Sequence, residues 1–260
     1  MKHSQMPALF VGHGSPMNAL ENNDFTRALR KLGRELARPE AILAVSAHWE
    51  TAGIKVLGQS YPGTIHDFYG FPKELYAMSY PASGAPSTAR LAVKAMAKMK
   101  AEITEDWGLD HGTWSVLHHL YPKADVPVFQ VSLDRGLSFR EHYETGRMLS
   151  ALRREGVMIL GSGNIVHNLG LYDPSPDAKP FDWAVEFDEK IKKLLLGRDI
   201  DGLINVQKFG ARLVGQVMPT VEHYVPLLYV LGAGYEEDGL SFPYEGIWNA
   251  CMSMRAVLYS

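Results

Sequence analysis

Short apolar runs separated by stretches of helical periodicity organise this chain. Residues 7–11, 41–46, 126–131 and 157–160 are mostly hydrophobic and bounded by Gly, Ser, Pro or Asn. That is the pattern of strands buried on both faces of a parallel sheet. Between them, residues 23–37 carry Leu29, Leu32 and Leu36 at helical spacing and stop ahead of Pro39. Further helices are predicted over 86–99, 113–120, 138–154, 181–196, near 201–208 and over 221–231, with short strands at 54–57 and in the tail 250–258. Strands alternating with helices predict an α/β fold: a single domain over residues 1–260, with a mixed, mostly parallel sheet and helices on both faces in three αβα layers. No internal repeat, low-complexity tract or linker divides it.

Composition narrows the class of partner. The 260 residues are 46% hydrophobic and 21% charged, with a net charge of −3, so a substantial core is available. No dense Lys/Arg block suggests nucleic acid or an anionic membrane surface. The N-terminal Met1–Pro7 segment is polar, unlike a signal peptide, and no apolar stretch reaches the length of a bilayer span. A cytoplasmic protein is expected. The lone Cys251 rules out an internal disulfide and a multi-cysteine metal site. The oligomeric state is open, a homo-oligomer included.

Histidines carry the candidate chemistry. His13, His48 and His167 each follow closely on an apolar run, and open α/β sheets bind ligands beyond the carboxyl ends of their strands. Three imidazoles meeting at that edge would suit a mononuclear metal site, since imidazole is the commonest protein ligand for a transition metal. Gly12-His13-Gly14-Ser15-Pro16 reads as a turn admitting close approach, and in Ser46-Ala47-His48-Trp49 the flanking Ser46 and Trp49 are expected to orient the ring. Gly161-Ser162-Gly163-Asn164-Ile165-Val166-His167-Asn168 is not a dinucleotide fingerprint, because Val166 stands where its third glycine belongs. It reads instead as a loop returning His167 over the sheet edge, with Asn164 and Asn168 orienting the imidazole.

In Pro219-Thr220-Val221-Glu222-His223-Tyr224, Thr220 is expected to cap a helix and to place His223 in its first turn, kept neutral by the helix dipole. Glu222 competes for the same ligand role. His111 lies in a loop ahead of a helix and could donate to an anion or to dioxygen, while His66 is a candidate for a loop beside the site. His118 and His119 read as helix-surface residues, His142 as a helix-face residue and His3 as part of the tail.

Six ordered motifs carry a resemblance: the His13 turn, Ser46-Ala47-His48-Trp49, Thr64-Ile65-His66-Asp67-Phe68, Asp110-His111-Gly112-Thr113-Trp114, Gly163-Asn164-Ile165-Val166-His167-Asn168, and Pro219-Thr220-Val221-Glu222-His223-Tyr224. From about residue 7 to the C-terminus the chain resembles the class III extradiol ring-cleavage dioxygenases, in their 4,5-DOPA dioxygenase branch. The resemblance implies a mononuclear Fe(II) site acting on a catechol and O₂ to give a muconate-semialdehyde product. It implies His13, His48 and His223 as metal ligands, His167 as the acid/base and a candidate fourth ligand, and His111 as a contact to substrate or oxygen. Where other members of the family use a carboxylate as third ligand, this chain has His223 beside Glu222. Four histidines would also suit Zn²⁺ in the isolated protein. Trp49, Phe68, Tyr69 and Trp114 are expected to wall the substrate ring. The alternatives are a zinc hydrolase built on the same histidines and a non-catalytic binding protein on the same fold.

Overall fold

The apolar runs form the parallel centre of a six-stranded sheet in the computed structural model, which describes residues 5–175 and 177–260. The strand order is Val128–Gln130, Ala41–Ser46, Val157–Gly163, Ala8–Gly12, Ala256–Tyr259 and Leu240–Ser241. The first four run parallel and the last two pair antiparallel at the edge. This is the expected mixed, mostly parallel α/β sheet.

Successive side chains of a strand point to opposite faces, and both faces here are dry. Ala8, Phe10, Leu43, Val45 and Ile159 belong to one core, shared with the helices Phe139–Leu149, Asp182–Leu196 and Val225–Ala233. Leu9, Val11, Ile42, Ala44, Met158 and Leu160 belong to the other, shared with Asp24–Glu35 and His111–Leu120. Because both alternating sets are apolar, the strands read as unbroken hydrophobic runs. None of the helices among the described residues is long and apolar enough to cross a membrane.

Register brings the functional ends together. Gly12 pairs with Gly163 and Ser46 with Ser162, so three neighbouring strands finish at one level. The chain keeps pairing just beyond it: His13 N donates to Gly163 O at 3.0 Å and Ala47 N to Ser162 O at 3.0 Å.

Several helices are bounded differently from the sequence expectation. Asp110 caps a helix by accepting from Thr113 N at 3.1 Å, so that helix begins at His111 instead of 113. The last long helix starts at Val225, not 221. Pro226 explains the shift: it has no N–H to give a preceding turn and is tolerated only near a helix start. His223 thus precedes the helix, and Thr220 caps nothing; its hydroxyl donates to Glu222 Oε1 at 2.8 Å. The 138–154 helix is α-helical over Phe139–Leu149 and continues as a 3₁₀ turn over Ser150–Glu155.

His119 is buried, contrary to the surface reading, and the helix face that carries His142 is a buried one. His119 Nε2 donates to Asn18 O at 2.8 Å, and His142 Nδ1 stands 3.3 Å from the Tyr229 hydroxyl. His3 lies outside the described residues. Burial lowers the pKa of each of these two imidazoles to about 4. The unfolded chain, at the ordinary value of about 6.5, takes up protons first as the pH falls. Their contribution is therefore complete above pH ~6.5 and is lost on descending toward pH ~4, at up to about 1.4 kcal/mol per pH unit per histidine. Urea titrations between those limits should show a shallower pH dependence for His142→Gln than for the parent chain. Equal slopes would mean that burial leaves the titration of His142 as it is in the unfolded chain.

Candidate active site

Five histidines from distant parts of the sequence line one cavity of about 550 Å³ beyond the strand ends: His13, His48, His111, His167 and His223. The turn after Gly12 supplies His13, and the turn after Ser46 supplies His48. His223 arrives on the segment ahead of the last long helix, where its carbonyl accepts from Asn164 N at 2.8 Å. Glycine permits this approach: a Cβ on Gly163 would collide with the His223 carbonyl oxygen. Gly112 likewise leaves room for the Ser46 hydroxyl and the His48 ring.

Hydrogen bonds fix how the rings present their nitrogens. Ser162 Oγ gives its one proton to Gly112 O at 2.5 Å, so it accepts from His13 Nδ1 at 2.9 Å. His13 Nε2 is left with a free lone pair and stands 3.1 Å from His48 Nε2. Asp67 Oδ2 lies 3.5 Å from His48 Nδ1 and favours the proton on that side. His223 Nδ1 donates to Glu222 Oε1 at 2.9 Å, which frees its Nε2 as well.

Nitrogens of His13, His48 and His223 all lie within 4.8 Å of one another. Burial above all, and then the neighbouring imidazoles, lower the pKa of His13 and His48 well below the ordinary value. Neutral imidazoles with lone pairs turned to a common point form a cation's donor set. Two such nitrogens, each about 2.0–2.1 Å from one ion, stand about 3 Å apart at near-right angles. The residues therefore fit a metal ion.

The other two histidines are held differently. His167 lies flat on His223, with ring centroids 3.5 Å apart and planes 8° apart. It forms a second cluster with Glu222 and His223. Burial, with His223 assisting and Glu222 opposing, lowers its pKa to about 3. His111 is gripped by Asp67, whose Oδ1 accepts from the His111 amide at 2.8 Å and whose Oδ2 accepts from Nδ1 at 2.9 Å. Burial works against the Asp67 carboxylate, but these bonds and the His111 charge outweigh it, and its pKa falls. Glu222 is likewise penalised by burial, yet His223 and Thr220 hold its pKa down at about 2.

Some expected orienting contacts are absent among the described residues. Asn164 donates to Ser253 O at 2.8 Å and Asn168 to Gln216 O at 2.8 Å, and neither is hydrogen-bonded to the His167 ring. Ser46 Oγ accepts from the His48 backbone amide, not from its ring. His66 bonds Met78 O at 3.0 Å outside the cavity lining. Phe68 and Tyr69 do line the cavity, whereas Trp49 stacks on Trp107 and Trp114 is fully buried with its N–H on Ile65 O. Asp67 and Ser162 support the histidines without having been expected to. For Asp67 the available signal is the single carboxylate in the 61–72 loop, which is rich in aromatic, Gly and Pro residues; for Ser162 there is none, because its partners come from two other segments.

Residues 1–252 match the family model described as the catalytic LigB subunit of aromatic ring-opening dioxygenase. The chain belongs to the LigB family. Among its relatives, the 4,5-DOPA dioxygenase extradiol of Escherichia coli (strain K12) is 45% identical, over 99% of this chain and 96% of that one. The protein of the same name from Portulaca grandiflora is 35% identical, over 89% and 87%. The crystal structure of the uncharacterized protein JW3007 from Escherichia coli K12 superposes with a TM-score of 0.86 at 41% identity, covering 98% of this chain and 100% of that one. This LigB member is an aromatic ring-opening dioxygenase of the extradiol kind, which leaves the hydrolase and binding-protein alternatives aside.

Proposed function

We propose that this enzyme opens the ring of a catechol beside, not between, its two hydroxyls, adding both atoms of O₂ to give a muconate semialdehyde. The observation that carries the reading is the set of free imidazole nitrogens of His13, His48 and His223 on a cavity large enough for a substituted catechol. In this reading the whole chain, 1–260, acts as one catalytic domain.

His13, His48 and His223 would hold the ion. Fe(II) suits the reaction better than Zn²⁺, which has no redox chemistry; bound there, iron would supply Lewis acidity toward the diol and a path for electrons to oxygen. His167, neutral and flat against His223, takes a proton from one catechol hydroxyl oxygen and returns it later, which suits it to acid/base work more than to a fourth place on the ion. Asp67 holds His111 with Nδ1–H toward itself, leaving Nε2 for the substrate or oxygen. Phe68 flanks the ring and limits water, with Tyr69 at the exposed rim of the cavity.

Aerobic incubation of Fe(II)-reconstituted protein with a panel of catechols tests this, following the yellow ring-opened chromophore together with oxygen uptake. Turnover with one O₂ consumed per ring opened is expected. Colour without oxygen uptake, or cleavage between the hydroxyls, would reject the reading. The Ser162→Ala variant should weaken ion retention about 10–100-fold, measured by competition with a chelator, because His13 loses the group that fixes its proton on Nδ1. Unaltered affinity would show that Ser162 plays no part in orienting it.

A further inference from the structure

Charge around the cavity is one-sided. Among the described residues that line it there is no lysine or arginine, and the acidic one is Asp67. Glu222 stands one hydrogen bond behind His223. The outer part of the wall is aromatic: Tyr69 is 92% exposed and Tyr172 39% exposed, and Phe68 and Phe71, whose ring centroids lie 5.3 Å apart, line the same cavity. A carboxylate on a substrate's side chain would meet no guanidinium or ammonium partner there. An ammonium would meet open tyrosine faces, which attract cations.

We infer that the site selects ortho-diphenols through a cationic or uncharged side chain, seated against Tyr69 and Tyr172, and discriminates against a side chain carrying only a carboxylate. This rests on the catechol-cleaving reading and adds the class of substituent. For an amino-acid side chain, the ammonium is then the handle and the carboxylate is turned to solvent.

Three probes of similar length separate the possibilities: dopamine, 4-ethylcatechol and 3-(3,4-dihydroxyphenyl)propionate. Their dissociation constants for the Fe(II)-loaded protein are measured without oxygen by calorimetry, and ring cleavage is then followed in air. Dopamine should bind at least about tenfold more tightly than the propionate, with 4-ethylcatechol between them. Tyr69→Lys, at an exposed position that tolerates the change, should narrow or reverse that order. Equal or tighter binding of the propionate by the parent chain overturns the inference, as does a Tyr69→Lys ratio that does not move. The two readings fail separately: the expected order of affinities without any ring cleavage rejects the proposed reaction alone, and cleavage with the opposite order rejects the selectivity alone.

Discussion

Replacing His13 with alanine should abolish ion retention and ring cleavage together while the chain stays folded. The backbone there is held without the imidazole: His13 N donates to Gly163 O at 3.0 Å, and its carbonyl accepts from Asn18 Nδ2 at 3.1 Å. The turn should therefore survive the loss of the side chain. What disappears is one of three lone pairs, the one 3.1 Å from His48 Nε2. Lewis-acid stabilisation of a transition state is worth several kcal/mol, so losing the ion should cost about a thousandfold or more in rate. Elemental analysis after gel filtration, a catechol assay and far-ultraviolet circular dichroism check the three parts. Unchanged metal stoichiometry would remove His13 from the ligand set.

The sheet was legible because its central strands are apolar on both faces; Ala8–Gly12, Ala41–Ser46 and Val157–Gly163 needed only their runs and bounding residues to be found. The place of the site followed from those strands ending together. Details set by partners far away in sequence were not legible. His119 looks like a surface residue until Asn18 is brought against it, and nothing near His142 in the sequence announces Tyr229 as its neighbour. His223 shows a subtler failure. Thr220-Val221-Glu222 has the composition of a helix start, but the cost of Pro226 inside a helix outweighs a good cap and moves the start to Val225. The consequence is chemical: His223 owes its presented nitrogen to Glu222, not to a helix dipole. The stretch around Asp67 draws attention to its histidine, His66, whereas the carboxylate next to it grips His111 through two hydrogen bonds.

His167→Ala should separate chemistry from metal binding. The variant keeps His13, His48 and His223, whose nitrogens lie within 4.8 Å of one another without it, so the ion should be retained in full. Catechol affinity should change little, since Asp67, Phe68, Tyr69 and His111 still line the cavity. Turnover should fall by about 10²–10⁴-fold, the usual contribution of a positioned general acid/base. Its surroundings keep this histidine neutral and fix its plane. Burial holds its pKa near 3, so at neutral pH the ring is uncharged with a free lone pair, a weak base until a substrate proton and its developing negative charge are beside it, and stacking on His223 at 3.5 Å fixes its plane. Single-turnover cleavage, metal content and anaerobic catechol binding, measured on one preparation, distinguish the outcomes. Full activity would take His167 out of the reaction. Loss of the ion would make it a ligand instead, and the proton would then have to be taken by another group at the cavity wall, of which His111, already held by Asp67, is the nearest in kind.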